Sequence, residues 1–105
     1  MPHADAGGLL DLLGDQSVRE ILVHTSERPR SARELAAACD VSKPTVYRRL
    51  EALERRDLLA QKTRYDADGN HYAAYACRLE EVTFGVDADG LAADLERGRP
   101  VAADD

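Results

Sequence analysis

The chain has 105 residues, 44% hydrophobic and only 5% aromatic, enough for one modest core and too few for two domains. No apolar run approaches the roughly 20 residues that span a bilayer, and Met1-Pro2-His3-Ala4-Asp5 lacks the basic and apolar regions of a signal peptide, so a cytoplasmic protein is expected. The net charge of −6, from 14 basic and 20 acidic residues, excludes a uniformly basic polyanion binder.

Residues 7 to 26 read as helix with a break. Leu9, Leu10, Leu12 and Leu13 form one apolar cluster, Gly14 and Asp15 interrupt, and Val18, Ile21 and Leu22 resume at helical spacing with Asp15 as the cap. His24 lies near the helix end, where the dipole favours a cation, and reads as a structural residue. Arg28-Pro29-Arg30 is a short extended link.

Ser31-Ala32-Arg33-Glu34 is a capping box that starts a new helix near Ala32. Cys39-Asp40-Val41 then forms the tight turn of two crossing helices, with Val41 as its buried pin. The next helix is capped by Ser42 and has Pro44 in its first turn, where a missing N–H costs no helical bond. Val46, Leu50 and Leu53 recur at i, i+4, i+7 and face a core. Pro44, Thr45, Arg48 and Arg55 lie opposite, with Tyr47 and Arg49 on the shoulders.

Charge divides unevenly along the chain. Residues 28 to 64 hold ten basic and five acidic side chains, a segment charge of +5, between flanks of −4 and −7. A basic centre on an anionic body is the electrostatic outline of a DNA-facing surface, and it coincides with the helix after Ser42.

The pattern then changes period. Leu59 to Tyr65 and His71 to Cys77 read as two strands joined by Asp66-Ala67-Asp68-Gly69-Asn70, whose Asp-Gly step suits a tight hairpin. Lys62 and Arg64 are placed to flank a phosphate, whereas Asp66 and Asp68 at the tip would repel one. The tip lacks the ligand order of a calcium loop and reads as a plain turn. Val82, Phe84 and Val86 alternate as a last strand or extended arm, and Asp87-Ala88-Asp89-Gly90 is expected to cap a short helix carrying Leu91 and Leu95. That helix has two possible supports, the same subunit or a partner. Residues 1–98 thus form one domain, followed by a disordered acidic tail over 99–105.

Ser31 to Ala36, Val41 to Leu50 and Leu53 to Leu59 together resemble the winged helix-turn-helix regulators of the ArsR and MarR type, over about residues 9 to 78. The resemblance implies an α+β fold, a helical core with a β-hairpin wing, acting as a homodimer on double-stranded DNA. It assigns the reading helix to the second of the crossing pair, with contacts from Ser42, Lys43, Pro44, Thr45, Tyr47 and Arg48; the placement of the basic residues themselves adds Arg49, on the shoulder of that helix, and Lys62 and Arg64 of the hairpin. Asp57 stands where that family commonly has glycine. Metal-sensing relatives carry cysteines just before the first helix of the motif, where this chain has Ser31 and Arg33, so no metal site is expected. Twelve Arg against two Lys, with abundant Asp and Ala, resembles the proteins of salt-accumulating archaea.

No Ser-His-Asp order, HExxH, P-loop or Gly-rich dinucleotide turn is present, so neither catalysis nor a cofactor is expected. Cys39 and Cys77 lie outside any CxxC pair and read as small buried hydrophobes, the alternative for Cys39 being a thiol sensor. The rival to DNA binding is a winged helix used as a protein-interaction module, which the acidic total charge favours and the exposed Lys43, Arg48 and Arg49 oppose.

Overall fold

A computed structural model describes residues 5–101, an α+β arrangement of four helices and two small antiparallel sheets among them. Helix α1 (Ala6–Leu13) ends where Gly14 takes the C-cap, and α2 (Gln16–Glu27) starts from Asp15, whose carboxylate accepts from the Ser17 and Val18 N–H groups. Both helices and their break follow the sequence expectation.

Helix α3 (Ala32–Cys39) opens with the capping box, Ser31 Oγ accepting from Glu34 N–H and the Glu34 carboxylate accepting from Ser31 N–H, both at 3.1 Å. It runs through Cys39, so the turn is Asp40 to Ser42, one residue later than expected. Asp40 adopts a left-handed backbone at φ 54, which an aspartate tolerates better than most residues, and the Val41 N–H reaches back to the Ala36 carbonyl at 3.1 Å. Val41 is half-buried and packs against the core. Helix α4 (Lys43–Arg55) follows. It ends in a Schellman motif: the Leu58 N–H bonds the Leu53 carbonyl at 3.0 Å, the Asp57 N–H bonds that of Glu54 at 2.9 Å, and Asp57 occupies the left-handed position at φ 60. An aspartate here does the geometric work of the glycine whose place it takes.

Leu9, Val18, Ile21, Leu35, Val46, Leu50, Leu53 and Leu58 are all within 1% of complete burial and join the four helices to the sheet. Burying each such side chain is worth about 1.5–3 kcal/mol. Thr25 is buried with them, its hydroxyl donating to the Ile21 carbonyl at 2.7 Å.

Strands β2 (Leu59–Tyr65) and β3 (His71–Cys77) form the expected hairpin. The link before α3 is more than a link, because β1 (Arg30–Ser31) pairs with β3, Ser31 opposite Ala74, and makes β3 the middle strand. Two residues are too few to show a period in sequence.

The C-terminal part corrects the expected short helix. β4 (Leu79–Asp87) and β5 (Gly90–Arg97) form a separate two-stranded hairpin, and Leu91 and Leu95 lie on a strand. Their spacing of four satisfies both periods. The strand wins because Val86, Phe84 and Val82 sit opposite Leu91, Ala93 and Leu95, which gathers six apolar side chains onto one face. Of the tail expected over 99–105, residues 102–105 lie outside the described residues, and Arg99 to Val101 have no helix or strand, the Val101 side chain being half-buried.

The molecule is elongated, 57 × 28 × 20 Å, with a radius of gyration of 14.9 Å. No helix among the described residues is long and apolar enough to cross a membrane.

Candidate nucleic-acid interface

The start of α4 is fixed by side chains that hold one another. The Ser42 hydroxyl accepts from the Thr45 N–H at 3.3 Å and donates to Thr45 Oγ1 at 2.9 Å, and Arg48 Nη2 donates to the same Thr45 oxygen at 3.3 Å. Thr45 is therefore half-buried and already engaged, whereas Lys43, Pro44, Tyr47 and Arg48 are exposed. Val46, Leu50 and Leu53 are fully sunk on the opposite face, so the helix cannot rotate to hide this tip.

The structure divides the basic side chains into two sets. Arg28, Arg30, Arg49, Arg55, Arg56, Arg78 and Arg97 each have a carboxylate within 4.0 Å. Lys43, Arg48, Lys62 and Arg64 have none among the described residues, and neither do Arg19, Arg33 and Arg99. Arg49, expected with the contact set, turns instead toward the cap of α2: its Nε lies 2.9 Å from Asp15 Oδ2, although the N–H is not aimed along that line. It is the one expected contact residue that the fold draws into an internal ion pair.

The Asp15 carboxyl is held below its ordinary value by the Ser17 hydroxyl first, against an opposing push from burial, and further by the Val18 and Ser17 N–H groups and Arg49. A cleft of about 570 Å³ between α1 and α4 is lined by Arg48, Arg49, Arg55 and Arg56, but Asp15, Glu51 and Asp5 already answer three of those guanidiniums.

On the β2–β3 hairpin, the pairing of Lys62 with Ala74 and Arg64 with Tyr72 puts both basic residues on one face beside Tyr72. Thr63, Tyr65, Ala73 and His71 take the other, where the Tyr65 and His71 rings meet edge to face at 4.4 Å. The tip is organised by Asp66, whose carboxylate accepts from the N–H groups of Asp68 and Asn70, both at 2.9 Å. Those bonds, that from Asn70 foremost, lower its pKa. Asp66 is thus a turn-former, while the Asp68 side chain stands free of that network.

The sequence reading missed Arg33 and Tyr72. They meet Lys43 and Tyr47 in a groove of about 160 Å³ between the starts of α3 and α4 and strand β3. The contact depends on the Ser31–Ala74 pairing, which has no local signature in sequence. Cys39 and Cys77 are free thiols, both buried and both pushed up in pKa by that burial, so neither is poised as a thiolate. Among the described residues no group of three His, Cys, Asp or Glu side chains converges on a metal-sized site.

A family model described as HVO_A0261 N-terminal domain matches residues 8–75, well over half of the chain. No curated protein matches it.

Proposed function

We propose that this chain, which belongs to the HVO_A0261 N-terminal domain family, is a winged helix-turn-helix protein that binds double-stranded DNA in the cytoplasm as a homodimer and regulates transcription. In this reading α4 enters the major groove, Lys43, Tyr47 and Arg48 meet it, and Lys62 and Arg64 on the β2–β3 wing take phosphates. The observation that carries it is the division of charge. Seven arginines, Arg49 and Arg55 of α4 among them, are paired within the molecule, whereas Lys43, Arg48, Lys62 and Arg64 keep their charge for an outside partner.

The homodimer rests on the β4–β5 hairpin. A lone two-stranded hairpin is marginal in water, and the apolar face of this one runs past its own core to Val86 and Leu91, 82% and 40% exposed. The exposed end of that face, Val86 opposite Leu91, is apolar, so a second copy presents a matching surface about a two-fold axis. Two reading helices would then meet half-sites about 34–36 Å apart in an inverted repeat.

The test is a pull-down of genomic DNA fragments by the purified chain, followed by sequencing and titration of the recovered duplexes. Enrichment of an inverted repeat is expected. Recovery no greater than with Lys43→Ala/Arg48→Ala refutes the reading and favours the interaction module, for which the acidic total charge speaks.

A further inference from the structure

We propose that the groove between the starts of α3 and α4 and strand β3 holds one sugar–phosphate unit of the DNA strand beside the reading helix, Arg33 and Lys43 taking the phosphate and the Tyr47 and Tyr72 rings the sugar. The inference rests on the DNA-binding reading and extends it to residues outside the reading helix and the wing.

Four observations converge on that chemistry. First, Arg33 and Lys43 are both exposed and neither has a carboxylate within 4.0 Å among the described residues. The nearest acid in sequence, Glu34, is committed to the Ser31 N–H and lies 3.7 Å from Arg28. Second, the positive ends of two helices open on the same groove, α3 through Ala32 and Arg33 and α4 through Lys43, and both favour an anion. Third, the rest of the lining is apolar or amphipathic. Tyr47 and Tyr72 are 52% and 38% exposed, and the deeply buried Ala32 and Tyr75 close the floor. A tyrosine ring suits a sugar face, having an apolar body and a wet tip. Fourth, a volume of about 160 Å³ falls below the roughly 300–1,000 Å³ of sites that enclose drug-sized ligands, so the groove fits a segment of chain passing through it.

The positions are rigid. The capping box fixes the first turn of α3, and the Ser31–Ala74 pairing ties that turn to the strand that carries Tyr72. The loop before α4 is set by Asp40 and the Ser42 cap.

The test is fluorescence anisotropy with two duplexes, one recovered from genomic DNA and one of scrambled sequence, titrated across KCl concentrations. Each neutralised phosphate contributes about −0.9 to the slope of log affinity against log salt. Arg33→Ala is therefore expected to weaken both duplexes by the same factor and to make the slope shallower by about 0.9. Its deficit then shrinks about threefold between 50 and 200 mM KCl. Arg33→Lys restores the slope, and Tyr72→Ala weakens both duplexes without changing it. Alanine is a good helix former at this exposed site, and circular dichroism checks that the variant is folded. Arg19→Ala is the control, since Arg19 donates to the Leu13 carbonyl away from the groove and its loss should change nothing. If wild type binds and Arg33→Ala keeps the wild-type slope, the groove assignment falls while the DNA reading stands. If wild type binds neither duplex, both fall.

Discussion

Arg97, on the last strand, closes the C-terminal end of α4. Its Nε donates to the Asp57 carbonyl at 2.8 Å and its Nη2 to the Arg56 carbonyl at 2.7 Å, two oxygens that the helix leaves without partners. The same guanidinium lies 3.7 Å from the Asp57 carboxylate, which also bonds Arg78. Charge-assisted bonds contribute about 1.5–3 kcal/mol each when dry. The Arg97 side chain is 31% exposed, so a discount to roughly 0.5–1 kcal/mol per bond is appropriate. Arg97→Ala should therefore cost about 1–2 kcal/mol, or a fall in Tm of roughly 5–10 °C for a domain of this size. Urea unfolding followed by circular dichroism reads the difference directly. Arg97→Lys keeps the charge but not the planar fork and should recover less than half of it. Glu96→Ala, exposed on the other face of the strand, should stay within about 0.5 kcal/mol of wild type. An Arg97→Ala protein as stable as Glu96→Ala, or an Arg97→Lys protein as stable as wild type, would refute the idea that this fork holds the hairpin to the helix.

Arg48→Ala should lose affinity mainly for the preferred DNA sequence, by about 1–3 kcal/mol of discrimination, whereas Lys62→Ala or Arg64→Ala should weaken all duplexes alike. Competition between specific and random duplexes checks this, and a uniform loss for Arg48→Ala contradicts it. Asp15→Asn keeps a helix cap but removes the charge facing Arg49, and should cost roughly 1 kcal/mol at neutral pH. The folded Asp15 pKa is lowered, so its stabilisation is fully present above the ordinary value of 3.8 and is lost as pH falls below 3.8 through the folded value. The gap between variant and wild type in urea should therefore close in acid; a gap that persists there sinks the assignment. In the proposed complex Asp68 at the β2–β3 hairpin tip would face phosphates, and a cation drawn between them would be taken up and oppose counterion release. Asp68→Ala should then steepen the fall of affinity with KCl while leaving the Asp66 turn intact, and titrations giving equal slopes would exclude cation uptake there.

The parts of the fold that were legible in sequence are those with a local cause. The breaks at Gly14–Asp15 and at Ser42, the Ser31–Glu34 box and the hairpin over 59–77 are each written in residues a few positions apart, and the structure has them there. Asp57 shows the limit of a residue-type rule: the position demands a left-handed backbone, and aspartate supplies it as glycine would. What failed depended on partners distant in sequence. Leu91 and Leu95 look helical until Val82 and Val86 are placed opposite them, and Arg30 looks like a link and Ser31 like a cap alone until β3 arrives beside them. The same holds for the candidate site. Its exposed tip could be read from the period of α4, but the neutralisation of Arg49 by Asp15 and the meeting of Arg33 with Tyr72 belong to the tertiary fold.

The elongated form has a consequence for how the molecule moves through solvent. A compact chain of about 100 residues has a radius of gyration near 13 Å, and this one reaches 14.9 Å because it is about twice as long as it is broad. Friction grows with that extension while mass does not. A single copy of 11.5 kDa will therefore elute from a sizing column ahead of a compact protein of equal mass and mimic a heavier species. Light scattering and sedimentation equilibrium, in which shape cancels, report the number of chains directly, and comparing either with the elution volume measures the extension itself.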